Sequence, residues 1–422
     1  MRAVFLDRDG TVTKKTSLVV KPEEIELEDG AAEGIKMLNK SGVKVIVVTN
    51  QPQVARGLIS EDGVKKINDK VQKDLMKRGA HIDDFYFCPH HPEQYSDVPE
   101  HAKKYRVECS CRKPNPGMIL EAAKKYNVDL TGSFTVGDRT VDILAGKNAG
   151  TRTILVKTGV AGKDKKHDIK ADYECDTLLN AATLIRNLIK TKAIILAGGK
   201  GERLLPLTKD LPKPMIPING KPVLEYHINL LKKYGVNEIV ICGSYLVDKI
   251  KAYFGDGRKF RVHIDYPGEK EPLGTGGAIK NAAQYLVNAE NIIVLNGDVI
   301  TNMNIGSLLR FHFSHSGIAT VVLRKTDHPI DSDIIKINEK NEVTKYIGRG
   351  QDIHKTANVG IMVLRTKILD RIPNGISNIE KDVLFKLLNK EKIYGYLSDA
   401  YIKDIGTPER LKKVRREFPL IS

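Results

Sequence analysis

The sequence predicts an α/β chain folded as two domains, and three observations carry that prediction. Short β-branched runs alternate with helical stretches, each run ends in a polar cluster, and the rhythm restarts at a glycine-rich turn just after residue 190. The 422 residues also suffice for two or three folded units. In order, strands are predicted over 2–6, 44–49, 133–136 and 153–156. This is the pattern of a parallel sheet whose functional residues sit at the C-terminal ends of its strands. A helix over 176–189 closes the first domain, and residues 190–191 lead into a new strand over 192–196. Further strands are predicted over 238–242, 291–295, 319–323 and 360–364, so the domains are read as 1–190 and 191–422. No Gly/Ser- or Pro-rich linker separates them, which predicts halves that are packed together or semi-rigidly coupled. Neither an internal repeat nor a hexapeptide β-helix pattern is present.

Composition narrows the functional classes. The chain is 41% hydrophobic, and none of its apolar runs reaches the about 18 residues needed to span a bilayer, so disordered and membrane-spanning readings both fail. The first apolar stretch, 4–6, is interrupted at once by Asp7, Arg8 and Asp9, which argues against a signal peptide and for a cytoplasmic protein. Five Cys in a chain of this length read as thiols or metal ligands rather than a disulfide framework. The surplus of 68 Lys+Arg over 52 Asp+Glu, a charge of +16, admits nucleic acid, anionic small substrates or plain solubility. Aromatic residues are 6% and Trp is absent, and no basic stretch is interleaved with aromatics, so a nucleic-acid end-processing protein is the least supported of these. The Lys-rich segments 163–166 and 412–416 read as solvated faces. Homo-oligomerisation stays open.

The opening strand delivers Asp7-Arg8-Asp9-Gly10-Thr11. Two carboxylates two residues apart, just past a strand, point the same way; they can share a divalent cation while one attacks and the other transfers a proton. A second strand ends in Thr49-Asn50-Gln51, a loop supplies Arg112-Lys113-Pro114, and a later strand ends in Gly137-Asp138-Arg139 with Asp142 one helical turn on. Singly, each is as readily a solvated turn or cap. Together they resemble the haloacid dehalogenase-like (HAD) phosphatases, and the resemblance implies a Rossmannoid parallel sheet. It makes Asp7 the nucleophile that becomes aspartyl phosphate, Asp9 the general acid and base, and Thr49 and Lys113 the phosphate binders. Asp138, with Asp7 and Asp9, would hold Mg²⁺, and Asp142 is a second carboxylate near that metal.

Cys88-Pro89-His90-His91-Pro92 and Cys109-Ser110-Cys111 lie between these motifs. Cys88, His90, Cys109 and Cys111 have the composition of a closed, structural tetrahedral zinc site, with His91 the alternative to His90. Cys175 and Cys242 lack such neighbours and read as core thiols. The zinc loop, with Thr49-Asn50-Gln51 and Ala55-Arg56-Gly57, narrows the resemblance to the D-glycero-D-manno-heptose 1,7-bisphosphate phosphatases and related histidinol phosphatases. There Asn50, Arg56 and Arg112 would contact substrate. The long insert 94–107 and Arg139, where Lys is common, depart from that family.

In the second half, Leu196-Ala197-Gly198-Gly199-Lys200-Gly201-Glu202-Arg203 follows a strand. It fails as a dinucleotide fingerprint because Leu204 stands at the third glycine position, and as a P-loop because Gly201 follows Lys200. It still describes an anion cradle, with Arg203 and Lys213 beyond it; a bare glycine turn is the alternative. Asn296-Gly297-Asp298 ends a strand, Asp404 precedes Ile405-Gly406, and both aspartates can hold Mg²⁺. Pro272-Leu273-Gly274-Thr275-Gly276-Gly277 is a second glycine-rich loop suited to a flat base, while Asn358, Glu380 and Lys381 could read sugar hydroxyls. The set resembles the sugar-1-phosphate nucleotidyltransferases, above all the short guanylyltransferases for mannose 1-phosphate and heptose 1-phosphate, and implies a mixed α/β domain. Leu196, Gly198, Gly199, Gly201, Gly274 and Thr275 would bind the nucleotide, and Arg203 and Lys213 would act on the transferring phosphate. Arg349 and Lys403 are further candidates for the sugar phosphate.

Joined, the two resemblances imply consecutive steps: removal of the 7-phosphate from a heptose 1,7-bisphosphate, then guanylyl transfer from GTP to the remaining 1-phosphate. The alternative keeps both chemistries with another sugar- or histidinol-phosphate phosphatase beside a mannose-1-phosphate guanylyltransferase or other NTP-sugar transferase.

Overall fold

The computed structural model describes residues 1–14, 18–93, 99–269, 271–325, 333–348 and 356–418. They form two compact units, Met1–Arg186 and Asn187–Ser422. The sequence puts the change of domain at residue 190; by contacts it comes earlier, within the helix Leu178–Ile189. Among the described residues no helix is long and apolar enough to cross a membrane.

The first unit is built on six parallel strands: β1 (Ala3–Leu6), β2 (Lys44–Asn50), β3 (Asp84–Cys88), β4 (Phe134–Gly137), β5 (Arg152–Val156) and β6 (Tyr173–Cys175). The helices between them are α1 (Ala31–Lys40), α2 (Glu61–Lys77), the single turn α3 (Glu100–Lys103), α4 (Gly117–Tyr126), α5 (Thr140–Ala149) and α6 (Leu178–Ile189). The sheet order is β3-β2-β1-β4-β5-β6. The chain winds outward from β1 to β3 and then returns to the other side of β1. The crevice beyond the C-terminal ends of β1 and β4 is therefore the switch point of the sheet, where ligands bind in such folds. β1 is buried at every position, as a central parallel strand covered on both faces must be.

The second unit repeats this winding on a mixed sheet. Its elements in order are β7 (Thr191–Leu196), β8 (Pro217–Ile218), β9 (Lys221–Pro222), α7 (Val223–Lys233), β10 (Glu238–Cys242), α8 (Val247–Phe254), β11 (His263–Asp265), α9 (Gly274–Asn281), β12 (Asn291–Asn296), β13 (Val299–Thr301), α10 (Ile305–Phe313), β14 (Ala319–Lys325), β15 (Ile334–Ile337), β16 (Val343–Gly348), β17 (Thr356–Arg365), β18 (Ile393–Leu397), β19 (Ile402–Asp404) and α11 (Pro408–Glu417). The order is β11-β10-β7-β12-β17-β14-β18, with β7 parallel to both β10 and β12, and β17 antiparallel to β12. β13 and β19 pair as a separate ribbon that sets Val299 opposite Asp404. Around this sheet packs an aliphatic core that includes Ile194, Val294, Val321 and Met362.

β17 begins at Thr356, four residues before the predicted strand at Gly360. At Gly360, with φ +74°, a Cβ would strike the Asn296 amide, and opposite it the β14–β17 register shifts between Val321 and Leu323, so the strand runs on through a bulge. The short strands β3, β6, β11, β13, β15, β16, β18 and β19 were not expected from the sequence: most lack the continuous buried run that marks β1 and β4 and are too short to show an alternation.

Candidate active sites

In the first unit, β1 places Asp7 and β4 places Asp138 on either side of the switch point, and the first turn of α5 adds Asp142. One oxygen from each of these three buried carboxylates lies within 4.8 Å of the others. Lys113 Nζ, also buried, donates to Asp7 Oδ1 at 2.6 Å and to the Val48 carbonyl at 2.8 Å, and pairs with Asp142 Oδ1 at 2.7 Å. Burial pushes Asp7 up to about 6 against the pull of Lys113, with Asp142 and Asp9 adding to the rise. Burial and the charges of Asp7 and Asp142 likewise push Asp138 up to about 8. Asp138 Oδ1 is buried and has no hydrogen-bond partner among the described residues. Three carboxylates around one ammonium leave an excess of negative charge in a dry, oxygen-only site, which fits a hard divalent cation.

Of the expected metal set Asp7, Asp9 and Asp138, Asp7 and Asp138 lie in that triad with Asp142 as the third carboxylate, and the Asp9 side chain lies outside it. Both Asp9 oxygens are held by the wholly buried Arg8, from Nε at 2.8 Å and Nη2 at 3.0 Å, and Gln51 Nε2 donates to Oδ2 at 2.9 Å. Gln51 Nε2 also donates to Thr49 Oγ1, leaving the Thr49 hydroxyl proton for another acceptor. A cavity of about 300 Å³ opens over these groups, lined by Asp7, Asp9, Thr49, Asn50, Arg112 and Lys113 and by Arg139, Lys166 and His167. Asn50 was expected to bind substrate. It lines the cavity, and its amide also holds the Lys113 backbone, Oδ1 accepting from N at 3.0 Å and Nδ2 donating to O at 3.1 Å. Arg56 does not line the cavity; its charge acts on its neighbours Arg112 and His91. Lys166, read in the sequence as part of a solvated face, does line it, because the loop after β5 folds back over the crevice. Gly159 permits that close approach: with φ +57° it packs where any Cβ would strike Asp138.

Cys88 ends β3, and the turn before α4 brings Cys109 and Cys111 to it. The sulfur–sulfur separations are 3.2–3.5 Å, and His90 Nδ1 lies 3.3 Å from Cys111 Sγ and 3.7 Å from Cys88 Sγ. A tetrahedral zinc site has ligand–ligand edges of about 3.5–3.8 Å, so three thiols and an imidazole at these distances fit that ion. His91 faces elsewhere, its Nδ1 accepting from Glu93 N at 3.2 Å. Arg112 N donates to Cys109 Sγ, and Arg112 Nη1 donates to the His90 carbonyl at 3.0 Å, which ties the cluster to the cavity wall. The described part of the insert 94–107 is residues 99–107.

The second unit carries two adjoining cavities. The larger, about 850 Å³, is lined by the whole turn Leu196–Arg203 with Lys213, Glu269, Gly274, Thr275 and Asp298. The other, about 410 Å³, is lined by Asn358, Glu380, Lys403, Asp404 and Arg410; Arg203, Asn296 and Asp298 line both. A Cβ on Gly199 would meet nothing within 4 Å, so this backbone borders open space, whereas Gly274, at φ +72°, packs against Ser377 where a Cβ would come within 2.5 Å of its carbonyl. Asp298 is paired with Lys213, and Asp404 with Arg410 at 2.9–3.0 Å. Asp298 and Asp404 are held near each other by the β13–β19 ribbon and by Ile405 N donating to the Asp298 carbonyl at 2.9 Å. Two carboxylates, each balanced by a side-chain cation, form an oxygen donor set that fits Mg²⁺.

Glu380 links the cavities. Asn358 Nδ2 donates to its Oε1 at 3.4 Å and Thr275 Oγ1 to its Oε2 at 3.5 Å, and burial pushes its carboxyl upward. Lys381 does not join them: successive side chains on the helical turn Ile379–Leu384 diverge by about 100°, so Glu380 points inward while Lys381 is exposed. Arg349 lies outside the described residues. Cys242 is buried and forms part of the floor of the larger cavity. The sequence reading did not single out Arg8, Gln51, Lys166, His167, Glu269 or Arg410. Only Gln51, within Thr49-Asn50-Gln51, carried a local signal.

The nucleotidyl transferase family matches residues 192–418, and the HAD-hydrolase-like family matches residues 110–181. A D-glycero-beta-D-manno-heptose-1,7-bisphosphate 7-phosphatase from Pasteurella multocida is 38% identical over 44% of this chain and 98% of its own length. A D-glycero-alpha-D-manno-heptose 1-phosphate guanylyltransferase from Aneurinibacillus thermoaerophilus is 33% identical over 54% of this chain and 98% of its own length. A mannose-1-phosphate guanylyltransferase from Mycobacterium tuberculosis is 36% identical over 51% of this chain, which spans 61% of that relative.

Proposed function

The chain belongs to the nucleotidyl transferase family and, through its first unit, to the HAD-type phosphatases, and from that premise we propose that it makes a nucleotide-activated heptose in two consecutive reactions. The first releases the 7-phosphate of D-glycero-D-manno-heptose 1,7-bisphosphate; the second couples the resulting 1-phosphate, α-configured, to GMP from GTP, giving GDP-heptose and pyrophosphate. The observation that carries this reading is one chain with both sites, each resembling over most of its length relatives named for D-glycero-D-manno-heptose phosphates, with an α-anomer 7-phosphatase among those of the first site to match the α-anomer guanylyltransferase of the second.

In the first reaction an Asp7 oxygen attacks phosphorus, and the bond from phosphorus to the sugar oxygen breaks as Asp9 gives that oxygen a proton. Asp9 then takes a proton from water, whose oxygen displaces Asp7 and frees phosphate. Lys113 and the Thr49 hydroxyl hold the equatorial phosphoryl oxygens, and Arg112, with Lys166 and His167, faces the rest of an anionic substrate. Mg²⁺ held by Asp7, Asp138 and Asp142 would offset phosphoryl charge, and zinc on Cys88, His90, Cys109 and Cys111 would brace the loop that carries Arg112 and Lys113.

In the second reaction an oxygen of the sugar phosphate attacks the α-phosphorus of the nucleotide and pyrophosphate leaves, with no covalent enzyme intermediate. The backbone of Gly198, Gly199 and Gly201 cradles the phosphates, Arg203 and Lys213 stabilise the developing charge, and Asn358 and Glu380 read sugar hydroxyls. Mg²⁺ on Asp298 and Asp404 would neutralise the nucleotide and pyrophosphate oxygens. The phosphate-rich substrates of both sites draw on the chain's positive charge.

The test is incubation with heptose 1,7-bisphosphate and GTP while phosphate and pyrophosphate are followed together. Both appear with the wild type. Asp7→Asn releases neither from the bisphosphate but still releases pyrophosphate from heptose 1-phosphate. Phosphate release that survives Asp7→Asn, or transfer that is indifferent to the sugar, overturns the reading.

A further inference from the structure

Among the cations around the smaller cavity of the second unit, Arg410 is placed differently from its neighbours. Arg324 is engaged by the backbone carbonyls of Ile402 and Lys325, Lys413 pairs with Glu417, and Arg203 is shared with the larger cavity. Arg410 stands in the first turn of α11, where the Thr407 side chain caps the helix by accepting from Arg410 N at 3.3 Å. Its Nη1 donates to both oxygens of Asp404, at 3.0 Å and 2.9 Å, while Nε and Nη2, the other edge of the guanidinium, make no hydrogen bond with a described residue. The residue lines the smaller cavity with Asn358 and Glu380 and does not line the larger one.

The two carboxylates proposed for Mg²⁺ are thus matched by one cation each, on opposite sides. Lys213 sits on Asp298 and lines the cavity of the glycine turn; Arg410 sits on Asp404 and lines the cavity of Asn358 and Glu380. Gly406 marks the point between them: a Cβ there would stand 2.6 Å from Asp404 Oδ1, 3.3 Å from Arg203 Nη2 and 3.5 Å from Lys213 Nζ. The transferring phosphorus belongs at that convergence, with the nucleotide on the Lys213 side and the sugar on the Arg410 side.

A sugar 1-phosphate has three free oxygens. One must attack, and the other two need donors on the sugar side. A guanidinium edge with two parallel N–H groups matches two phosphate oxygens in distance and in plane. We infer that Arg410 grips the phosphate of the sugar substrate, Nε and Nη2 donating to its two non-attacking oxygens, and so aims the third at the α-phosphorus. The inference rests on the nucleotidyl-transfer reading above. Nη1 and a divalent cation draw on the same two Asp404 oxygens, so the guanidinium is freer to face the phosphate once the metal site is filled.

The experiment measures pyrophosphate release with GTP and either heptose 1-phosphate or mannose 1-phosphate, for the wild type, Arg410→Gln and Arg410→Lys. The same sugar phosphates are titrated calorimetrically into protein holding Mg²⁺ and α,β-methylene-GTP. Arg410→Gln is expected to raise both KM and the calorimetric Kd for the sugar phosphate at least about tenfold, as loss of a charged hydrogen bond implies, while KM for GTP stays within about twofold. The unchanged KM for GTP also shows that the variant is folded. Arg410→Lys recovers part of the loss, because ammonium keeps the charge without the planar fork. The Mg²⁺ concentration for half-maximal rate does not rise in Arg410→Gln, since a competitor for Asp404 is gone; an arginine that merely held Asp404 in place would raise it together with KM for GTP. That joint rise, or a sugar-phosphate KM within about twofold of wild type, overturns this inference and leaves nucleotidyl transfer standing. A wild type active on mannose 1-phosphate alone overturns the heptose reading, and the KM ratio on that sugar then decides the role of Arg410. A wild type active on neither sugar overturns both.

Discussion

Arg8 sits between two carboxylates in sequence, and its side chain turns away from Asp7 into the core. It is 0% exposed, and its guanidinium donates to both oxygens of Asp9, to Gln51 Oε1 at 2.7 Å and to Asn68 Oδ1 at 2.9 Å. Arg8→Met would strip donors from a partly buried carboxylate and two buried amides, and the buried side of such a break costs up to about 3–5 kcal/mol. The expected result is a loss of that size in denaturant unfolding of the first unit, with Arg8→Lys recovering only part because ammonium lacks the planar fork. A change below about 1 kcal/mol would show that the clamp adds little. At this scale Asp7, Asp9 and Lys113 stood out in the sequence only as an ordered set at strand ends, since each alone reads as a turn, a cap or a solvated charge. Arg8 did not stand out, since an arginine between two aspartates reads equally as a solvated charge; Asp142 was read as a carboxylate near the metal, and the fold groups it with Asp7 and Asp138 while Arg8 holds the Asp9 side chain aside.

The turn 109–113 is the element that the proposed zinc would brace. Cys109 and Cys111 anchor it, and Arg112 and Lys113 follow directly. Zinc removal by a chelator, or Cys111→Ser, is expected to lower kcat/KM for bisphosphate hydrolysis at least about tenfold, while pyrophosphate release by the second unit holds. Metal analysis should count one zinc lost per chain, and hydrolysis that persists without zinc would remove the bracing role.

A second element-scale prediction concerns α10 and β14. Gly317 N donates to His315 Nδ1 at 3.2 Å, so His315 Nε2–H donates to Thr320 Oγ1, which in turn donates to His312 Nδ1 at 2.9 Å. Both imidazoles are thus neutral in the fold. Burial lowers His312 to about 3 and His315 to about 4, with the Arg365 charge adding to both. A depressed folded pKa means that the unfolded chain binds more protons below the ordinary value of about 6.5. Stability from this pair is therefore complete above about 6.5 and declines as pH falls toward 4 and then 3. His312 contributes up to about 1.4 kcal/mol per pH unit in that window, and the half-buried His315 less, because water screens it. Unfolding of the second unit followed between pH 7 and 5 should show this slope and should lose part of it in His315→Gln.

For the molecule as a whole, the charge of +16 resolves into two anion-handling regions and a remainder. Arg112, Lys113, Arg139 and Lys166 line the cavity of the first unit; Arg203, Lys213, Lys403 and Arg410 line those of the second. Composition could not separate these from solvated lysines, because a charge count carries no position. The α/β alternation and the restart near residue 190 were readable because a parallel strand buried on both faces has to be a continuous apolar run ending in polar groups. Short edge strands such as β11 and β19 left no comparable mark, although they carry the chain to Glu269 and Asp404.

By itself the sequence determined the chemistry at hand: carboxylates, thiols and glycine turns at the ends of apolar runs, in an order that few reactions use. Tertiary structure alone decided which of two neighbours faces inward: His90 rather than His91, Glu380 rather than Lys381, Asp142 rather than Asp9 in the triad. The physical reason is that adjacent side chains diverge by a large angle on any backbone. Which one meets the site is set by segments distant in sequence, such as Cys109 and Cys111 for His90 and Asn358 and Thr275 for Glu380.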